Sequence, residues 1–155
     1  MGFSSIYVSE ENGGCGLTRM EASLIFEGLS TGCVGSSAYL SIHNMVAWMV
    51  DKYGNQDQRD KYLAALISMD TLSSYCLTEP DSGSDAQAMK SFAEDKGDHF
   101  LLNGSKAFIS GAGTPGQLYL VMCRTGEKEI SCLILEDGME GLSYGANESK
   151  MGWNV

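Results

Sequence analysis

The apolar residues of this chain change their period near Asp70, and that change limits the folds open to it. Upstream they recur at three- and four-residue intervals. Ala22, Ile25, Phe26 and Leu29 form one such set; Ile42, Met45, Val46, Met49, Val50 and Tyr53 form another. Each set lines one face of a helix, and the stripe through Met45 and Met49 reads as helix–helix core. Thr18 and Glu21 make a capping box, which predicts a helix start after the loop Asn12-Gly13-Gly14-Cys15-Gly16. Gly32 and Gly35 predict a break after that helix. Gly54 predicts the end of the second helix at a C′ position. Asn55 and Gln58 repeat the cap pattern before a third helix that continues to Ile67. From Thr71 onward the segments are short, β-rich and punctuated by glycine. Leu72–Leu77, Leu118–Cys123 and Ile130–Leu135 predict strands, with a turn near Gly126 between the last two. Asn103-Gly104, between Phe100-Leu101-Leu102 and Ala107-Phe108-Ile109, predicts a hairpin. Helices first and strands after predict an α+β chain with a helical part, 1–70, and a β part, 71–155. The ending Met151-Gly152-Trp153-Asn154-Val155 has no cap or polar tail, so the chain reads as a segment shortened at both ends.

Composition removes several function classes. The 155 residues carry 10 Lys+Arg against 20 Asp+Glu, a formal net charge of −10 spread over both parts. Nucleic acid needs a basic face, so it is not an expected partner. The most apolar stretch, Ala38–Val50, contains His43 and Asn44 and is shorter than the roughly 20 residues of a membrane span. No signal-like N-terminus is present. The cysteines at 15, 33, 76, 123 and 132 form no C-x-x-C pair and read as small core hydrophobes. His43 reads as a helix-packing residue and His99 as a strand-end residue, so no metal site is expected.

The densest polar segment is Tyr75-Cys76-Leu77-Thr78-Glu79-Pro80-Asp81-Ser82-Gly83-Ser84-Asp85-Ala86. It leaves an apolar strand, turns at Pro80 and offers hydroxyls and backbone amides around Gly83. Such a turn can cradle phosphate oxygens. It is neither a Walker loop nor a G-x-G-x-x-G fingerprint. On composition alone an ordinary Asp/Ser/Gly turn is the favoured reading. Glu79 and Asp85 resemble a catalytic pair but are expected to organise the turn through backbone hydrogen bonds.

Cys76-Leu77-Thr78-Glu79-x-x-Ser82-Gly83-Ser84-Asp85-x-x-Ala88 resembles the signature of the acyl-CoA dehydrogenase family. Three further segments resemble that family in order: Gly13-Gly14-Cys15-Gly16-Leu17, Gly54 through Arg59, and Leu102 through Lys106 followed by Phe108-Ile109-Ser110. The resemblance covers essentially the whole chain. It implies that the β part is an antiparallel, barrel-like middle domain, here incomplete, and that a C-terminal helical domain is absent. It implies α,β-dehydrogenation of an acyl-CoA, with the α-proton taken by a base and the β-hydride passed to FAD. That base would be a glutamate of the C-terminal domain, so no catalytic residue is expected in this chain. Tyr75, Cys76, Leu77, Thr78, Glu79, Pro80, Asp81, Ser82, Gly83 and Ser84 would line FAD, together with Phe108, Ile109 and Ser110. Thr78 and Ser110 would place hydroxyls near flavin N5, and Phe108 would stack on the ring where many relatives have Trp. Gly83 would let the backbone approach the ligand, and Ser84 would also contact the acyl-CoA. Asp81 departs from the Gly or Asn usual there and would oppose a nearby pyrophosphate if it pointed inward. Ala38 through Asn44, Tyr75–Pro80, Asn103–Gly113 and Val121–Gly126 resemble members acting on short branched acyl-CoA esters such as isobutyryl-CoA, in valine breakdown. Electron-transfer flavoprotein as acceptor, a homotetramer at full length and the mitochondrial matrix follow from the same resemblance. Two other readings stay open: an acyl-CoA oxidase-like flavoenzyme, and a non-catalytic short form that associates with full-length subunits.

Overall fold

A computed structural model describes residues 2–154. Among the described residues three α-helices come first: α1 (Arg19–Ser30), α2 (Val34–Tyr53) and α3 (Gln56–Ser68). Five strands follow: β1 (Ser73–Cys76), β2 (Phe92–Asp95), β3 (Phe100–Asn103), β4 (Leu118–Arg124) and β5 (Ile130–Glu136). The change of period near Asp70 is therefore a change of structure. Among the described residues no helix is long and apolar enough to cross a membrane.

Both capping boxes form. Thr18 Oγ1 accepts from Glu21 N at 3.3 Å and Glu21 Oε2 accepts from Thr18 N at 2.7 Å. Asn55 Oδ1 accepts from Gln58 N at 2.8 Å and Gln58 Oε1 accepts from Asn55 N at 2.9 Å. Each box satisfies two amides that the helix itself cannot. Two expectations need correction. Gly35 lies inside the first turn of α2, which starts well ahead of the apolar stripe, with Cys33 as its N-cap. Gly54 does end α2, but in an extended conformation (φ −63°, ψ 149°) rather than a left-handed one.

β4 is the centre of the sheet. It runs parallel to β1 and antiparallel to β5, and meets β2 further along at the single parallel pair Phe92–Arg124. β3 pairs antiparallel with β2. The expected antiparallel, barrel-like arrangement is thus a mixed, open sheet. The expected hairpin across Asn103-Gly104 is also corrected. The partner of β3 is β2, through a turn in which Lys96 N donates to His99 O, and Ala107-Phe108-Ile109 is not a strand. Gly104 (φ +153°) instead carries the chain past Ser91, where a Cβ would lie 2.2 Å from the hydroxyl oxygen.

The period of two along a strand gives the sheet two different faces. Tyr75, Leu118, Leu120 and Ile134 pack against Val46, Ala47, Val50, Leu63 and Leu66 of the helices. Cys76, Tyr119, Val121 and Leu135 cover the other face. His43 bridges helices and sheet without exposure. Burial lowers its pKa and keeps the imidazole neutral. Nε2–H then donates to Leu66 O at 2.8 Å, and Nδ1 accepts from Ser73 Oγ at 2.9 Å. His99 sits in the β2–β3 turn beside Asp98. Cys76 and Cys123 are buried as expected, whereas Cys33 and Cys132 are exposed.

Candidate functional site

The polar segment leaves the sheet where β1 ends. Glu79 and Ser82 close a tight turn over Pro80-Asp81, Glu79 N donating to Ser82 O and Ser82 N to Glu79 O at 2.9 and 3.1 Å. The Glu79 carboxylate, 5% exposed, reaches beyond that turn. It accepts from Lys90 N at 2.6 Å, Ser91 N at 3.0 Å and Lys106 Nζ at 2.8 Å. Burial opposes its ionisation, but the Lys106 ammonium, the neighbouring Ser91 hydroxyl and the two amides outweigh that and hold its pKa at about 2. The expected organising role of Glu79 is therefore visible. Asp85 acts differently: its carbonyl, not its carboxylate, accepts from Ser82 Oγ and Ala88 N. Asp81 turns outward to pair with Lys90 at 2.9 Å on the exposed surface.

Two segments distant in sequence meet here. Lys106 Nζ also donates to Leu77 O at 3.0 Å, and Ala107 N donates to Thr78 O at 2.9 Å. Thr78 is thereby fixed beside the start of the 107–113 segment. Phe108 follows directly with φ +58°, a left-handed backbone uncommon for an aromatic residue, and the residue is 74% exposed. A bulky apolar group held outward in a strained conformation marks a functional position better than a core one. Ile109 turns inward against Cys76, Tyr119 and Val121.

An open groove of about 1740 Å³ runs over this face of the sheet. Cys76, Phe108, Ile109 and Ser110 line it, with Val121 and Leu135 on its floor. It exceeds the roughly 300–1,000 Å³ of a drug-sized pocket. Its floor is uncharged: burial pushes the Cys76 thiol up to about 12. Leu77 through Ser84 stand outside the groove lining, tied to it through Lys106 and Ala107. Nothing of the protein lies within 4 Å of a Cβ built on Gly83, so that backbone is open to approach. Tyr75 departs from the set. One residue before Cys76, it projects to the opposite face and packs in the helix-side core. Lys106 was not among the candidate site residues, although it ends the Leu102–Lys106 segment that carries part of the resemblance. Gln117, buried behind the groove, gave no sequence signal at all.

An apolar floor, an exposed ring and the half-buried Ser110 in the groove, with half-buried Thr78 fixed just outside its lining, suit a flat ligand with one polar edge. Residues 1–70 match the family model for the acyl-CoA dehydrogenase N-terminal domain, and residues 74–155 match the model for its middle domain. Isobutyryl-CoA dehydrogenase, mitochondrial, of Dictyostelium discoideum is 52% identical over 159 residues, spanning 100% of this chain and 38% of that protein. The Bos taurus protein of the same name is 50% identical over 157 residues, spanning 99% and 38%. The structure of an acyl-CoA dehydrogenase complexed with FAD from Bacillus anthracis superposes with a TM-score of 0.86 at 32% identity, over 99% of this chain and 26% of that one. The chain thus spans about two fifths of the length of these curated relatives.

Proposed function

The chain belongs to the acyl-CoA dehydrogenase family, and from that premise we propose that its groove holds FAD for the α,β-dehydrogenation of a short branched acyl-CoA such as isobutyryl-CoA. One observation carries the reading: Phe108, exposed and in a left-handed backbone, stands beside a strand exit that the Glu79–Lys106 ion pair locks in place. Bound FAD would supply the hydride acceptor that no amino-acid side chain provides. The chain's own residues bind and orient. Phe108 offers a face for the isoalloxazine ring. The Thr78 and Ser110 hydroxyls offer hydrogen bonds to its polar edge, where negative charge would develop. The open backbone at Gly83 faces the phosphate-bearing part of the ligands, with Ser84 on the acyl-CoA side. Asp81 is paired outward with Lys90 and so does not oppose a phosphate there. The general base lies outside these residues, and proton abstraction needs such a group within hydrogen-bond reach of the α-carbon. Transfer of electrons to electron-transfer flavoprotein, assembly as a homotetramer and residence in the mitochondrial matrix complete the reading. The names of the relatives support the mitochondrial location.

Titration of the chain with FAD, followed by quenching of flavin fluorescence, tests the proposal. Saturable quenching is expected, weakened about tenfold by Phe108→Ala, since an aromatic stack contributes about 0.5–1.5 kcal/mol beyond its buried area. Quenching that does not saturate, or that Phe108→Ala leaves unchanged, counts against it.

A further inference from the structure

We infer that Gln117 is a positioning residue for the 108–113 segment: its buried side-chain amide sets where Phe108 and Ser110 stand relative to β1. Gln117 is 1% exposed and lies behind the groove. Its Nε2 donates to Ser74 Oγ at 2.6 Å and to Tyr39 OH at 3.3 Å, and its Oε1 accepts from Tyr119 OH at 3.2 Å. Two of those hydroxyls hold the segment. Ser74 Oγ donates to Ser110 O at 2.5 Å, and Tyr119 OH accepts from Gly113 N at 3.1 Å.

The direction of each bond makes the amide necessary. A hydroxyl has one proton. Ser74 spends its proton on the Ser110 carbonyl, so the bond from Gln117 must arrive at its lone pair. Tyr119 must do the reverse: its proton goes to Gln117 Oε1, which leaves a lone pair facing Gly113 N. Only a group that donates from one end and accepts at the other orients both hydroxyls at once. Tyr39 OH, whose proton goes to Ser73 O at 3.2 Å, takes the second amide proton and ties α2 into the network.

The backbone between the two anchors rests directly on this cluster. Gly111 has φ +80°, and a Cβ there would lie 2.6 Å from Tyr39 Cε2, 2.9 Å from Gln117 Nε2 and 3.3 Å from Ser74 Oγ. With Ala107 N bound to Thr78 O at the other end, residues 107–113 are clamped on both sides of Phe108. The consequence for a flavin rests on the reading given under Proposed function; the clamping itself does not.

Amide hydrogen exchange on the chain, with FAD titration alongside, tests the inference. Gln117→Leu is expected to speed exchange at Ala112, Gly113 and Thr114 at least tenfold, while the β4–β5 amides slow or quicken far less. Gln117→Glu should restore protection at low pH, where the protonated carboxyl donates to Ser74 and accepts from Tyr119. It should lose that protection as pH rises and the carboxyl ionises, a dependence absent from the parent chain. If Gln117→Leu does not fold, Ser74→Ala and Tyr119→Phe, which remove one anchor each, should give the same local loss. Unchanged exchange at 112–114 in the folded variants overturns the inference. Local loss in the variants without FAD binding by the parent chain upholds the clamp and removes the flavin reading. FAD binding that weakens about tenfold in Gln117→Leu, and recovers in Gln117→Glu at low pH, upholds both.

Discussion

The ion pair between Glu79 and Lys106 is the residue-scale feature on which the site depends most. Both side chains are nearly buried, at 5% and 10% exposure, and they join the strand exit to the segment before Phe108. Glu79→Gln leaves the Lys106 ammonium buried without its counter-charge. Breaking a buried pair from one side costs about 3–5 kcal/mol, and chemical denaturation should show a loss of that order. The pH dependence has a definite sign. The folded carboxyl is held at about 2, below its ordinary 4.5. Its stabilisation is therefore complete above about 4.5 and is lost as pH falls toward about 2. His43 works in a higher window. Burial lowers its pKa, so its contribution is complete above the ordinary 6.5 and declines as pH falls below that value. Denaturant midpoints of the parent chain should fall in two stages on acidification, and Glu79→Gln should shrink the lower one, which Asp51, Glu136 and Asp137 share because their carboxyls are also held below the ordinary range. A single stage near pH 4.5 with none above would contradict the role given to His43. Thr78 and Phe108 were legible as candidates because the motif names them, and the structure sets them side by side through the Ala107 N–Thr78 O bond. Tyr75 was misplaced because a motif records residue order, whereas alternation along β1 decides which face each side chain reaches.

At the scale of elements, legibility followed locality. The capping boxes at Thr18 and Asn55 depend on residues three apart, and both helix starts were readable. Asn55→Ala should lower stability by about 1 kcal/mol, measured by urea titration, because Gln58 N loses its acceptor. Strand β2 was not readable. Of Phe92-Ala93-Glu94-Asp95 only Ala93 is buried, so the segment has almost no apolar pattern. The hairpin was drawn across the wrong glycine for a related reason. Asn103-Gly104 has hairpin composition, but Gly104 is there for its close passage over Ser91. The true turn lies at Lys96–His99 around Gly97, whose φ is +96°. Gly104→Ala should destabilise the chain more than Gly97→Ala, because the first meets Ser91 at 2.2 Å while the second meets nothing within 4 Å. Equal melting temperatures for the two variants would contradict this.

Over the whole molecule, helices and sheet share one core while the far sheet face carries the groove. Val46, Ala47, Val50, Leu63 and Leu66 bury one face of β1, β4 and β5, so the strand that delivers the motif is braced from behind. Leu66→Ala, at a fully buried position, should cost about 2–5 kcal/mol, and unfolding monitored in both parts should shift together. The parallel pairing of β1 with β4 was out of reach of the sequence, because no local signal tells which distant strand a short strand will join. Yet that pairing places Cys76 next to Val121 and so makes the groove floor. On the proposal made above, β1, its exit and the 106–110 segment together build a flavin site. The most direct test is the visible absorption spectrum of the chain after incubation with excess FAD and desalting. A retained flavin band, shifted from that of free FAD, is the expected result. A colourless protein whose circular dichroism shows it folded would contradict the claim.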